Sequence, residues 1–401
     1  QGYSSAASDV YKRQVANTVS LTTGTQKNQT YVSVGAVNAR GIIQNNDLDR
    51  YNFSVRNTTS MLNDKLTMDL SFMYSNVKEQ NMLSQGEYAN PLVPVYLFPR
   101  GDDFSKYQYY ERYDVDRNIK TQFWPLKENG LSMQNPYWIT NRNMYTNKKD
   151  RFLASGSLKY TITDWLNVSG RVKLDKETIN SEKKMYASTL NVIAENSDKG
   201  AYVQSNKNTS QIYADAMLNI NKYFYHDTWN LTASLGASLL DLDYKELNFG
   251  GGLLTIPNLF TSNNANVSGK LTYKNTNYHD RTNSLFGTFS LGYKGMVYVD
   301  GSLRNDWISA LAGTNHSSIL YPSIGASAIL TNMFTMKSNI LSYAKVRLSY
   351  SEVGNAPERF RAITTYAVLG GLNTTSYFPI KDLKPERTHS WEAVSYTHLR
   401  A

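Results

Sequence analysis

Cysteine is absent from the 401 residues. That excludes a disulfide framework, a thiolate zinc site and a cysteine nucleophile. Histidine is scarce, with five residues (His226, His279, His316, His389 and His398), and none stands in an HExxH or related spacing. No catalytic metal and no cofactor are expected. Long apolar runs are missing too: mean hydropathy is −0.48, and the most apolar stretch, 92–99, is short and interrupted by proline. A helical membrane span is therefore excluded, whereas a membrane β-barrel, apolar on one face of each strand, is not. The net charge is +9, yet the cations are scattered and no basic run exceeds two residues, so no nucleic-acid partner is expected.

Aromatics are plentiful, with 30 Tyr, 14 Phe and 6 Trp, the supply an aromatic-girdled barrel draws on. The dominant pattern is alternation with period 2. In 165–174, Leu166, Val168, Gly170, Val172 and Leu174 take one side, and Asn167, Ser169, Arg171 and Lys173 the other. The same alternation marks 66–74, 152–160, 212–220, 229–239, 285–293, 297–303, 324–330 and 346–350. It is weaker in 17–23, 31–37, 51–61 and 387–393. About thirteen strands and no convincing helix follow.

Short turn-rich connections (24–30, 63–65, 163–164, 222–227, 294–295) alternate with long ones (38–50, 77–150, 177–209, 240–280, 305–320, 351–386). Short turns at one end and long loops at the other are the plan of an antiparallel transmembrane β-barrel, with tight periplasmic turns and long extracellular loops. The polar set includes Arg171, Lys173, Asp215, Asp300, Arg304, Lys345 and Arg347; it suits a wet lumen, with the apolar set facing outer-membrane lipid. Tyr74, Tyr160, Trp165, Trp229, Tyr293 and Tyr350 stand at strand ends, where girdles form. An odd strand number implies an incomplete barrel.

Residues 1–14 and 394–401 break the pattern. SSAASDVYKRQ (4–14) and VSYTHLRA (394–401) resemble translated sequencing adapter. Both ends are expected to be non-native extensions, leaving 15–393 as the natural segment.

Four segments carry a family resemblance. They are VSLTTGT with TYVSVGAVNARG (19–25, 30–41), RNDWISALAGTNHSSILYPSIGASAIL (304–330), YAKVRLSYSEVGN (343–355) and LKPERTHSW (383–391). In that order they resemble the SusC/RagA family of TonB-linked outer-membrane proteins. The resemblance implies a TonB-dependent importer of oligomeric nutrients in the outer membrane of a Gram-negative cell, with a glycan ligand first and a peptide second. It implies a plug and a TonB box outside these segments, a TonB complex as energy source, and a SusD-like lipoprotein as lid. A passive porin-like barrel and a secreted soluble β-sandwich that binds glycans are the alternatives.

No catalytic constellation is present, and the chain is not expected to be an enzyme. Gly250, Gly251 and Gly252 read as a flexible loop, and Arg100-Gly101-Asp102 as a turn. Asp102, Asp103, Asp114 and Asp116 lack the EF-hand spacing. The candidate site for substrate or partner is the longest loop, where FSKYQYYERYDVD (104–116) offers Tyr107, Tyr109, Tyr110 and Tyr113, followed by Trp124 and Trp138. Flat rings with a polar edge grip sugars by stacking and hydrogen bonding. The same rings could equally pack the loop on itself or on a partner.

Overall fold

The computed structural model describes residues 11–82, 88–125, 133–266, 274–334, 341–363, 366–368, 372–374, 379–380 and 382–399. Four strands lead: β1 (Tyr11–Gly24), β2 (Asn28–Gly41), β3 (Asp47–Met61) and β4 (Leu66–Gln80). A long loop follows, holding helix α1 (Leu92–Tyr96), a hairpin of β5 (Glu111–Asp114) and β6 (Ile119–Gln122), and helix α2 (Pro136–Arg142). The wall resumes with β7 (Asn143–Thr163), β8 (Leu166–Tyr186), β9 (Gly200–Phe224), β10 (Trp229–Gly252), β11 (Lys274–Tyr293), β12 (Val297–Ile308) and β13 (Ser318–Ile329). Helix α3 (Leu330–Met333) leads into β14 (Leu341–Asn355). A small hairpin, β15 (Tyr366–Val368) with β16 (Leu372–Thr374), precedes β17 (Glu386–Leu399).

Thirteen strands form one antiparallel meander in the order β1-β2-β3-β4-β7-β8-β9-β10-β11-β12-β13-β14-β17. All thirteen alternating segments of the sequence lie in these strands. Among the described residues β1 and β17 do not pair with each other, so the barrel is not closed. β1 and β17 run through positions 14 and 393 without a break.

The register explains the alternation. Tyr160, Val168, Leu218, Leu235, Gly287 and Leu303 are successive cross-strand partners on one face, from β7 to β12. One residue away, Asn167, Asn219, Ser234, Thr288, Ser302, Ser323, Ser351 and Ser390 form a row on the other face. The row is stitched by hydrogen bonds: Asn219 Nδ2 donates to Asn167 Oδ1 (3.1 Å) and Ser234 Oγ to Asn219 Oδ1 (2.8 Å), while the Ser302 and Ser323 hydroxyls pair at 2.7 Å. Arg171 meets Asp215 at 2.7 Å on the same face. Leu235, 65% exposed, typifies the apolar face. A one-residue slip would exchange the two faces along a whole strand.

Turn chemistry sets the short end. Leu62, Asn63 and Asp64 all take positive φ, as do Tyr225, His226 and Asp227. Lys294 and Gly295 do the same (φ 48 and 64), the geometry whose twist matches a tight hairpin.

Several expectations are corrected. The strands reach well past their alternating parts: β9 has 25 residues and β10 has 24. Their outer halves lose period 2 because polar and apolar residues mix on both faces there, as with Leu242 and Tyr244 on one face of β10 and Leu247 and Phe249 on the other, so nothing in the pattern separates strand from loop. Gly250, Gly251 and Gly252 therefore lie in β10, not in a loop. The connection expected at 38–50 shrinks to 42–46, and those expected at 177–209 and 240–280 shrink to 187–199 and 253–273. Tyr74 and Tyr350 sit mid-strand for the same reason, whereas Trp229 and Tyr293 pack together at 4.7 Å beside the short turns. Three helices of four to seven residues escape notice because so few residues show no helical period.

The core lies where loops gather. The largest fully buried side chains are Trp138, Leu190, Leu311, Ile319, Gln134, Asn135 and Thr189, followed by Pro94 and Ser188. Nearly all belong to the long-loop end.

Candidate functional site

The described parts of the loop 81–142 (81–82, 88–125 and 133–142) pack into a compact platform. Phe98, Phe104, Tyr107, Phe123 and Trp124 surround one another, with ring centroids of Tyr107 and Trp124 5.2 Å apart and of Phe98 and Trp124 5.6 Å apart. Phe104 and Tyr107, three residues apart, share one side of the 3-10 turn Phe104–Gln108, and Phe123 and Trp124 follow directly on β6. Asp103 opens that turn by accepting from the Ser105 amide at 3.0 Å. Arg100-Gly101-Asp102 is the turn expected, closed by Asp102 N donating to the Pro99 carbonyl at 3.2 Å.

Asn135 holds the platform together. Its Oδ1 caps α2 by accepting from Tyr137 N (2.8 Å), and its Nδ2 donates to the carbonyls of Tyr107 (2.8 Å) and Phe123 (2.9 Å). Pro136 at the first helical position needs no amide partner, so Asn-Pro starts the helix cleanly. This buried clamp was missed from sequence, although an Asn-Pro pair before an aromatic run is a recognised start signal. Gln134 and Gln122 tie the platform to the β8–β9 loop: Gln134 Oε1 accepts from Leu190 N at 3.1 Å, and Gln122 Nε2 donates to the Ser188 carbonyl at 2.6 Å.

The candidate aromatics divide sharply. Tyr107, Trp124 and Trp138 are 8%, 6% and 1% exposed. Tyr107 donates its hydroxyl to Asp102 (3.1 Å), and Trp138 Nε1 donates to Thr189 Oγ1 (3.0 Å). Tyr110 turns its ring to Trp138 and to the Arg142 guanidinium. These four rings are occupied by neighbours, the self-packing alternative. Tyr109 and Tyr113 are 81% and 60% exposed, and Tyr113 donates to Asn118 across its own hairpin. Asp102, Asp103, Asp114 and Asp116 are engaged in local turns, and no metal-holding cluster occurs among the described residues.

A charged lock fastens β5 to α2. Glu111 receives Lys120 at 2.7 Å and Arg142 at 2.6 Å, and the Arg142 guanidinium lies 4.9 Å over the Tyr186 ring. Burial pushes the Glu111 carboxyl up, but the Lys120 and Arg142 hydrogen bonds outweigh it and hold it below the usual glutamate range. A depressed carboxylate stabilises the fold above its unfolded pKa, about 4.3, and that contribution fades as pH falls through the folded value. Limited proteolysis of the platform should therefore accelerate on acidification below about pH 4. Glu111→Gln should remove much of that acid dependence and leave the loop more easily cut at neutral pH. An unchanged acid response in Glu111→Gln would assign the effect elsewhere.

Comparison with known proteins bears on the whole wall. Residues 94–396 match the family model described as TonB dependent receptor-like, beta-barrel. The RagAB peptide transporter structure aligns with a TM-score of 0.71 at 16% identity, over 98% of this chain and 43% of the other. The ferric-catecholate import receptor Fiu of E. coli K12 aligns at 0.53 and 11%, over 95% and 54%. The ferric preacinetobactin receptor BauA of Acinetobacter baumannii aligns at 0.53 and 10%, over 96% and 50%. The chain thus spans roughly half of these solved structures or less, and at such identities the likeness is one of fold. No curated protein matches the chain. With the alternating wall, the one-ended loops and the family match over most of its length, the chain belongs to the TonB-dependent receptor-like β-barrel family, in keeping with the SusC/RagA resemblance of its motifs.

Proposed function

We propose that this chain is the wall of an energy-coupled outer-membrane importer of oligomeric nutrients, with residues 15–393 as its native part. The observation that carries the reading is the uninterrupted apolar face from Tyr160 to Leu303, set against a polar face stitched by hydroxyl and amide hydrogen bonds and ion pairs. Water on the polar side and lipid on the apolar side satisfy both; a soluble sandwich would bury the apolar side. Uptake that stops when the proton-motive force is collapsed supports the importer. Uptake that persists identifies a passive pore.

Peptides are the better ligand class. The aromatic surface expected for sugars is mostly consumed by the platform's own core, while the polar face carries charge pairs of both signs, such as Arg56 with Asp69 and Arg151 with Asp175. Such a wall suits a solute carrying both signs, and the RagAB structure is of a peptide transporter. The glycan reading rests on Tyr109 and Tyr113, the two exposed rings. A SusD-like lipoprotein lid would cover the same surface, and the TonB complex would act through regions beyond this wall.

Tyr109→Ala with Tyr113→Ala separates these roles. Removing both rings leaves the platform core intact. Lost co-purification of the lid with ligand affinity retained assigns them to the lid. A tenfold or larger loss of oligosaccharide affinity on the isolated barrel assigns them to a glycan. No change in either removes them from both surfaces.

A further inference from the structure

Under α2, at the long-loop end, lies a cavity of about 380 Å³ lined by Met82, Asn143, Met144, Lys183, Met185 and Ile193 among others. Lys183 and Asn143 occupy positions on β8 and β7 with the same parity as Arg171 and Ser157, so they belong to the polar, lumen-side face. Two of the polar groups here are without partners. Lys183 makes no ion pair and no hydrogen bond among the described residues. Several other wall cations are engaged: Lys149 with Glu79 at 2.9 Å, Arg151 with Asp175, Arg171 with Asp215. Asn143 accepts from Thr189 Oγ1 at 2.7 Å through Oδ1, but its Nδ2 is buried with no acceptor.

A half-buried cation beside a buried amide donor with no acceptor is a pair that one anion accepting hydrogen bonds would satisfy. Met82, Met144, Met185 and the isoleucines give part of the remaining wall an adaptable apolar lining, beside the polar Gln44, Asn81, Thr140 and Tyr145. The volume is that of a small-ligand site. One ammonium and a few side-chain amides, with no guanidinium fork, suit a carboxylate better than a phosphate.

We propose that this cavity is a subsite for the terminal carboxylate of an imported peptide ending in an apolar residue, Lys183 supplying the charge and Asn143 a second donor. The assignment rests on the importer reading with peptide ligands.

The test is calorimetric titration of the full-length receptor in detergent with N-acetyl-leucine, N-acetyl-leucinamide and hexanoate. N-acetyl-leucine should bind at least tenfold more tightly than its amide. Lys183→Gln should erase that preference while heat-modifiable migration persists and Tm holds, because no ion pair is lost with the charge. Lys183→Arg, which keeps the charge, should retain part of the preference. Equal binding of acid and amide, no binding of any probe, or an acid preference that survives Lys183→Gln would overturn the subsite. Hexanoate binding as tightly as N-acetyl-leucine would also overturn it, by pointing to a fatty acid. Proton-motive uptake of peptides by the wild type is measured in parallel. If uptake stands and the acid preference fails, only the subsite falls; if energised uptake is absent, the importer reading falls whatever the titration gives.

Discussion

Val168→Arg or Leu235→Arg, made in the full-length protein, is expected to block barrel assembly, whereas Asn167→Arg or Ser234→Arg is expected to be tolerated. Val168 and Leu235 both face Leu218, their common partner on β9, and all three lie on the apolar side. Asn167 and Ser234 are one residue away, sharing Asn219 on the opposite side. A cation near the bilayer midplane of a barrel costs roughly 2–4 kcal/mol, a large fraction of the stability of any domain. On the lumen side the guanidinium stays hydrated, and the cost is confined to the displaced Asn219 bonds, about 1 kcal/mol each. Heat-modifiable migration of the membrane fraction reads the difference directly. Equal damage from the two pairs would mean that the faces are reversed.

Trp138→Ala is expected to dissolve the platform without dissolving the wall. The ring is almost wholly buried, and its Nε1 bond to Thr189 joins the loop 81–142 to the loop 187–199. Truncating a buried tryptophan costs about 3–5 kcal/mol. Its other attachments include hydrogen bonds between Gln122 and Ser188, Gln134 and Leu190, Arg117 and the Asp198 carbonyl, and Asn45 and both Thr140 and Asn141, each worth about 1 kcal/mol. Trypsin should then cut at Lys106, Arg112, Arg117 and Lys120 in the assembled barrel. The ladder between β7 and β8 does not run through Trp138 and should survive. Cleavage no faster than in wild type would show that the platform is anchored elsewhere.

The wall was legible because lipid on one side and water on the other impose period 2, as in 165–174. Where both sides are wet the signal vanishes, which is why the outer half of β10, ending in Gly250, Gly251 and Gly252, passed for a loop. The platform was legible only as a surplus of aromatics. Which rings turn inward depends on Asn135 and on Ser188, Thr189 and Leu190, contributed by another loop at a sequence distance no periodicity spans. Tyr107, Trp124 and Trp138 differ from Tyr109 and Tyr113 in tertiary neighbours, not in type. Lys183 gave no signal at all, since an unpaired cation is recognisable only once every neighbour is placed.

The row from Asn167 to Ser390 has a consequence for leakage. Its members are serines, a threonine and two asparagines, side chains that extend only a few ångströms from the backbone, far less than the bore of a wide barrel. Each hydroxyl both donates and accepts, so water passing along the row can exchange partners without stranding any group. In a closed barrel, side chains of that length would leave the bore at that height open. Any seal against ion flow there must come from a separate body seated against these short polar groups, and it must be able to leave them as easily as water does.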